Sequence, residues 1–290
     1  MQTRLALIGF GEAGQSFASG WQKSANPQIS AYDIKTDHGE TAKTKREDYA
    51  RAGVTGCNTC AEAINEAVMV FSLVTAEQAL VAAENVAGTI KAGTWFFDCN
   101  SCAPDTKRRA NAIITKAGGR YVDVAVMGPV GPVLEMIPLL ISGDKAEKAL
   151  PLLEGLGMGA RLLPGDVGRA SSVKMVRSIM MKGLEALALE CVLSARRAGV
   201  EDEVLQSLEV TYPGFNWVER SGHMLERVMT HGIRRAEEMR EVAKTVDDLG
   251  FAGDMARAIV EWDQRIGDLG LKAEEGADFK AHADRIIGKL

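Results

Sequence analysis

A short apolar run, Arg4-Leu5-Ala6-Leu7-Ile8, leads directly into Gly9-Phe10-Gly11-Glu12-Ala13-Gly14 and then into a segment of helical texture. Strand, glycine-rich turn and helix in that order open a parallel βαβ unit. The apolar run reads as a buried strand and Gly9 permits the tight turn. Gly11 lets a pyrophosphate approach the backbone, and Gly14 lets helix and strand pack closely. Free N–H groups at the helix start would face the phosphates. A second strand candidate, Gln28-Ile29-Ser30-Ala31-Tyr32-Asp33, follows and ends in an acid. A carboxylate there suits the hydroxyls of an adenosine ribose and repels a 2′-phosphate, so the turn is read as a site for NAD in preference to NADP. The competing reading is a glycine-rich turn that binds no nucleotide.

A chain of 290 residues is long enough for two domains, each with its own core. Its 34 basic and 39 acidic residues leave a net charge of −5, with no long block of one sign. Neither a nucleic acid nor an acidic membrane is therefore the expected partner, and a small molecule is. No apolar run approaches the length of a membrane span, and the amino terminus enters a strand at once, so a cytoplasmic protein is expected. Two C-x-x-C pairs, Cys57/Cys60 and Cys99/Cys102, raise zinc or redox chemistry. In a sheet of order 3-2-1-4-5-6 the pairs follow strands four steps apart, about 19 Å at about 4.8 Å per step, too far for one metal. No metal site is expected, and buried inert thiols are the default in a reducing compartment, although a Cys57/Cys60 disulfide stays open.

The first half alternates strand and helix as a doubly wound, mostly parallel Rossmann sheet requires. Strand candidates are Gly53–Cys57, Val68–Val74, Thr94–Asp98 and Tyr121–Val126, with Leu139–Gly143 and Ala160–Leu163 extending the sheet; a short helix is read over Cys60–Glu66. From about Gly165 the texture changes, which places an α/β nucleotide-binding domain over 1–165 and an all-helical domain over 166–290. Residues 168–198 lack proline, and Val173, Val176, Met180, Leu184, Leu187, Cys191 and Ala195 recur at steps of three and four. That pattern predicts one long amphipathic helix of about 46 Å, at about 1.5 Å per residue, joining the two domains. Further helices are predicted over about 201–210, 213–229, 231–248, 251–267 and 275–288, with Gly250, Gly270 and Gly276 at turns.

Ligands of open α/β sheets bind beyond the carboxyl ends of the strands. Four loops qualify: Gly9–Gly14, Val74-Thr75-Ala76, Asn100-Ser101-Cys102 and Met127-Gly128-Pro129. Val74, Thr75 and Asn100 fall where the nicotinamide end of a cofactor would run. Asn100 and Ser101 could donate hydrogen bonds to its ribose or to a substrate; the plainer reading is a turn and helix cap before Pro104. Lys174 stands one turn into the long helix behind small residues that would let the helix start approach a cofactor. Ser178, Met181 and Glu185 lie within about 40° of it on the helical wheel, away from the apolar stripe. By spacing alone, a solvated lysine competes with a catalytic one.

Four ordered motifs give the chain a resemblance to the β-hydroxyacid dehydrogenase family, which includes 3-hydroxyisobutyrate dehydrogenase and the amino-terminal part of 6-phosphogluconate dehydrogenase. Gly9–Gly14 resembles the cofactor turn, Asp98–Pro104 the segment bordering the nicotinamide, and Asp123–Pro129 the substrate-carboxylate loop. Gly168–Ser178 resembles the glycine-x-x-x-lysine helix start that carries the catalytic lysine. The run Lys174–Ser178 with Lys182–Glu185 resembles a branch with a phosphogluconate-dehydrogenase-like carboxyl domain. The resemblance implies hydride transfer between NAD and the hydroxyl carbon of a small hydroxy acid, most simply a 3-hydroxy acid, with Lys174 as general acid–base. It also implies substrate contacts from Ser101, Met127, Gly128 and Ser178, and a helical substrate and dimerisation domain in a homodimer or higher homo-oligomer. To act as base Lys174 must be neutral, which requires its pKa to fall from about 10.4 through burial, Arg177 and the oxidised nicotinamide.

The departures from the family pattern bear on the substrate. Met127-Gly128-Pro129 replaces a serine-glycine-glycine, Ser178 stands where asparagine is usual, and Glu238-Met239 stands where a Lys-Asp pair is expected. Simple 3-hydroxyisobutyrate is therefore a doubtful substrate. Tyr212, Phe215, Trp217, Arg220, His223, His231, Arg234 and Arg235 read mostly as core aromatics and a solvated basic face, from which one or two arginines could replace the missing carboxylate donors. A decarboxylating phosphogluconate-type dehydrogenase and a non-catalytic NAD(H) sensor are the alternatives; an imine reductase would carry an acid or tyrosine at Lys174.

Overall fold

The computed structural model describes residues 3–128, 136–274 and 276–290. The chain divides into two compact units, Met1–Met175 and Val176–Leu290. The first contains β1 (Arg4–Ile8), α1 (Glu12–Ser24), β2 (Gln28–Tyr32), α2 (Gly39–Arg51), β3 (Thr55–Gly56), α3 (Cys60–Ile64) and β4 (Met69–Ser72). It continues through α4 (Ala79–Ala87), β5 (Trp95–Asp98), α5 (Pro104–Lys116), β6 (Arg120–Val126), β7 (Leu139–Ser142), α6 (Ala146–Glu154) and β8 (Ala160–Leu162) to the start of α7 (Arg169–Ala198).

The strands form one sheet in the order β3-β2-β1-β4-β5-β6-β7-β8. All neighbours are parallel except β6 and β7, which pair antiparallel from Asp123↔Ser142 to Val126↔Leu139. Alternate side chains serve two cores, one on each face, as a sheet covered on both sides requires. Leu5, Leu7, Phe71, Phe97, Val122 and Val124 pack into one; Ala6, Ile8, Val70, Phe96 and Tyr121 pack into the other. The strand order reverses between β1 and β4, which opens a crevice at their carboxyl ends.

The second unit holds the rest of α7 with α8 (Glu201–Thr211), α9 (Trp217–Asp248), α10 (Asp254–Asp268) and α11 (Phe279–Ile287). Leu189, Val192, Leu225, Val228, Met229, Ile266, Phe279 and Ile286 form its core. None of the described helices is long and apolar enough to cross a membrane.

Two expectations are corrected here. Helices over 213–229 and 231–248 prove to be the single α9, running through Gly232 without a break. A Cβ at Gly232 would lie 2.5 Å from the Asp263 carbonyl oxygen and 2.8 Å from Gly267, so this glycine serves a helix crossing. The apolar stripe of α7 is only partly buried: Val176, Met180 and Leu187 are exposed and Ala195 is buried, while Ser178, Lys182 and Glu185 are buried. Ion pairs to α9 compensate those charges, with Lys182 Nζ 2.7 Å from Glu238 and Glu185 paired with Arg235. The unit division lies inside α7, past the 165/166 change in texture, because hydrogen bonds tie the first turn of α7 to β6 and β7.

Candidate nucleotide and proton-transfer site

The turn after β1 is shaped by what cannot be there. Gly9 has φ +88, and a Cβ would sit 2.6 Å from the Leu73 carbonyl oxygen. A Cβ at Gly14 would lie 2.8 Å from the Gly9 carbonyl, so α1 approaches the turn as closely as backbone allows. At Gly11, the N-cap of α1, a Cβ would meet nothing within 4 Å. It would project into open space in front of the helix start, where an anion is favoured. Glu12 is exposed and Ala13 half-buried, while the Phe10 ring is buried against Tyr49, with centroids 5.0 Å apart. Phe10 therefore contributes to the core, and its backbone contributes to the turn.

Asp33 ends β2 and is buried. Its Oδ2 accepts from the Phe10 amide at 2.7 Å and its Oδ1 from the Lys35 amide at 3.0 Å, so the carboxylate clamps the glycine turn to the second strand. Gly9, Gly11, Tyr32, Asp33, Ile34, Lys35, Val74 and Thr75 are among the residues lining a cleft of about 210 Å³. The open space over Gly11, the helix N-terminus and the acid at the cleft wall suit the phosphate and ribose of a nucleotide.

At the ends of β4 and β5 the Asn100 side chain is engaged on both sides. Its Oδ1 accepts from the Val74 amide at 2.7 Å and its Nδ2 donates to Ser72 Oγ at 2.9 Å, locking the two loops together. Thr75 is exposed at the cleft mouth. Ser101 Oγ is shielded from water and makes no hydrogen bond among the described residues. A buried hydroxyl of this kind is costly without a partner, which makes it a candidate for a ligand contact.

Lys174 is half-buried in the second turn of α7. Burial pushes the Cys99 thiol up to about 12, and the charges acting on that sulfur include Lys107, Asp98, Lys174 and Asp123. The Lys174 charge therefore acts on the residue that directly follows β5. Met127 turns inward against Ala125, Leu140 and Ala170 of α7. Gly128 is exposed, and Pro129 lies outside the described residues.

Sequence reasoning missed a fully buried polar cluster beneath this region. Lys107 Nζ donates to Asp98 Oδ1 at 2.8 Å and to the Asp98 carbonyl at 2.6 Å, and stands 3.6 Å from Asp123 Oδ1. Tyr121 donates its hydroxyl proton to Asp98 Oδ2 at 2.7 Å. A lone lysine within an amphipathic helix carries no sequence signal of burial; only Asp98, at the end of β5, and Asp123, inside the largely apolar β6, could have hinted at it.

In the second unit Ser178 is buried one turn beyond Lys174 along α7. Of the basic groups considered for substrate, Arg235 is committed to Glu185 and lies 3.6 Å from Asp263, while Arg234 approaches Glu238 at 4.0 Å. Arg220 covers the Phe215 ring at 4.5 Å. His223 lies 3.5 Å from Glu226.

Residues 4–165 match the NAD binding domain of 6-phosphogluconate dehydrogenase, and residues 195–266 match a domain of unknown function, DUF1932. A conserved hypothetical protein from Sinorhizobium meliloti 1021 has a similar solved structure, with TM-score 0.76 and 34% identity over 100% of this chain and 97% of that one. A 28.5 kDa protein of Methanothermus fervidus is 29% identical over 84% of this chain and 90% of its own length. The 3-hydroxyisobutyrate dehydrogenase of Pseudomonas aeruginosa is 23% identical over 97% of this chain and 93% of its own. With a nucleotide domain matched over more than half its length, a glycine cradle of the right shape and four ordered motifs, the chain belongs to the β-hydroxyacid dehydrogenase family of NAD-binding oxidoreductases.

Proposed function

We propose that this protein oxidises the hydroxyl carbon of a small hydroxy acid, with 3-hydroxy acids as the leading class, and that Lys174 is its general acid–base. The observation that carries the reading is the glycine cradle at the end of β1, and it is supported by a Ser101 hydroxyl with no hydrogen-bond partner among the described residues after β5 and by Lys174 in the same compact unit. Relatives described as acting on 3-hydroxyisobutyrate and L-serine, each a carboxylate bearing a nearby hydroxyl, support the same class.

Gly9–Gly14, Asp33, Val74, Thr75 and Asn100 would hold NAD, whose nicotinamide supplies the hydride acceptor when bound. Neutral Lys174 Nζ takes the hydroxyl proton as the carbinol carbon gives up its hydride and the C–O bond becomes a carbonyl; the ammonium returns the proton in the reverse direction. Ser101 Oγ and the Gly128 amide would orient the acid, and Met127 and Ser178 are the further residues assigned to substrate. Residues 1–165 serve the nucleotide, and 166–290 serve substrate and self-assembly. The exposed apolar stripe Val176, Met180 and Leu187 supports a homodimer or higher homo-oligomer, which light scattering would test.

A spectrophotometric screen of 2- and 3-hydroxy acids with NAD and NADP tests the reading. Turnover is expected with NAD, rising through an apparent pKa below that of free lysine. Lys174→Ala is expected to abolish turnover while leaving NADH affinity within about twofold. Equal loss of both would remove Lys174 from its role, and tight NADH binding with no turnover of any acid would leave a nucleotide sensor.

A further inference from the structure

We propose that the buried Asp98–Lys107–Asp123 cluster is a positioning device for Lys174: Asp123 fastens the first turn of α7 to the sheet, and Lys107 ties that anchor to the Asn100 loop. The proposal rests on Lys174 being the proton-transfer group.

A helix start leaves backbone N–H groups without intrahelical partners. In α7 the residue before the helix is Gly168, with φ +97, which has no side chain to cap them. A Cβ there would lie 3.1 Å from the Pro104 carbonyl oxygen and from an Arg108 nitrogen, so a capping side chain is excluded. The acceptors come from the sheet instead. Asp123 Oδ2 accepts from the amides of Gly168 at 3.0 Å and Ser171 at 3.2 Å. Ser142 Oγ accepts from the Ala170 amide at 2.9 Å and donates to Asp123 Oδ2 at 2.9 Å. Ser171 Oγ donates to Asp123 Oδ1 at 2.6 Å. One carboxylate thus sets the rotation and depth of the first turn. Lys174 follows Ser171 by less than a turn, so its amine inherits that placement.

An ionised carboxylate with no exposure needs compensation, and Lys107 supplies it. Burial works against the charge on Lys107, but Asp98, Cys102 and Asp123 more than restore it, and its pKa is raised. Burial, reinforced by Asp98 and Asp123, holds Tyr121 protonated as a donor. The Asn100 amide donates to Asp98 Oδ1 at 3.0 Å, which makes the Lys107 ammonium the link between the loop after β5 and the start of α7. Two carboxylates and one ammonium leave a residual negative charge, and Cys99 senses that cluster together with Lys174. Removing the Asp123 carboxylate therefore takes one negative charge from the anchor of the helix turn that carries the amine.

The test compares Ser171→Ala, Ser171→Thr and Asp123→Asn with the parent protein by two independent readouts. With the hydroxy acid that turns over fastest, Ser171→Ala is expected to lower kcat about tenfold while KM and NADH affinity change less than about twofold; Ser171→Thr restores the hydroxyl and most of kcat. The second readout is the pKa of Lys174, followed by NMR after reductive ¹³C-methylation and assigned by its absence in Lys174→Ala. Loss of the Asp123 charge is expected to lower that pKa by about half a unit to one unit, and Ser171→Ala to leave it nearly unchanged. A purely architectural role would lower Tm and leave both readouts at their parent values, which overturns the proposal. If Asp123→Asn does not fold, the split between Ser171→Ala and Ser171→Thr decides. Failure of the dehydrogenase reading would appear separately, as absent turnover in the parent while the Lys174 titration still responds to Asp123→Asn.

Discussion

The Asp33 carboxylate accepts the Phe10 amide proton at 2.7 Å, so the acid that faces the nucleotide cleft also closes the glycine turn. Its other oxygen caps the turn that follows β2 through the Lys35 amide. The two duties can be separated. Asp33→Ala leaves two amides without their acceptor and is expected to lower stability by about 1–3 kcal/mol and to weaken NADH binding at least tenfold. Asp33→Asn keeps one of the two acceptors and removes the charge. It is expected to narrow the preference for NADH over NADPH at least tenfold, read from dissociation constants by cofactor fluorescence. An unchanged ratio would remove Asp33 from cofactor selection.

Gly9 and Gly11 make a second contrast. Alanine at Gly9 must adopt φ near +88 and clash with the Leu73 carbonyl, while alanine at Gly11 meets only open space. Gly9→Ala is expected to lose at least about 1 kcal/mol of stability. Gly11→Ala is expected to keep a Tm close to that of the parent and to lose NADH affinity at least tenfold. Thermal unfolding and NADH titration of both variants check this, and normal NADH binding by Gly11→Ala would empty the cleft of its proposed ligand.

The glycine turn, the strand order and the long helix were legible because each depends on local pattern: apolar runs of strand length, glycines at fixed spacing and a three-to-four repeat. The orientation of α7 was not. Hydrophobicity placed Val176, Met180 and Leu187 inside, but burial of Lys182 and Glu185 is decided by Glu238 and Arg235 on α9, far along the chain. Lys107 was hidden for the same reason, since its partners sit on two strands, Asp98 at the end of β5 and Asp123 within β6, that only the fold brings together. Asn100 stood out as a candidate ligand residue, but its engagement by the Val74 amide and Ser72 depends on the register of β4 and β5.

Gly232 lies beside the expected break between helices 213–229 and 231–248, and its contacts give a different prediction. With a Cβ 2.5 Å from backbone of α10, Gly232→Ala forces α9 and α10 apart and is expected to lose about 1–3 kcal/mol. Gly183, in the middle of α7, provides the control: a Cβ there meets only Ile259 Cδ1 at 3.4 Å. Gly183→Ala is expected to be neutral or to gain up to about 1 kcal/mol from helix propensity. Equal Tm changes in the two variants would mean that the crossing does not limit packing.

Asp263 gives the second unit a distinct response to pH. It is fully buried, neither carboxylate oxygen has a hydrogen-bond partner among the described residues, and its closest cation is Arg235 at 3.6 Å. Burial pushes its pKa from 3.8 up to about 6; Arg235 and Lys182 oppose the rise, and Glu185 and Glu238 add to it. The folded pKa exceeds the unfolded one, so between about pH 4 and 6 the folded state binds a proton that the unfolded chain does not. Acidification through about 6 therefore stabilises the fold, the gain is complete below about 4, and it is absent at pH 8. The difference between 3.8 and about 6 corresponds to at most about 3 kcal/mol. Asp263→Asn removes the titration while keeping the shape. Its stability is expected to equal or exceed that of the parent at pH 8 and to lack the parent's loss of stability between pH 4 and 6, as read from urea unfolding across that range. A parent and variant with parallel profiles would mean that Asp263 is ionised in the fold, with Arg235 meeting its full desolvation cost.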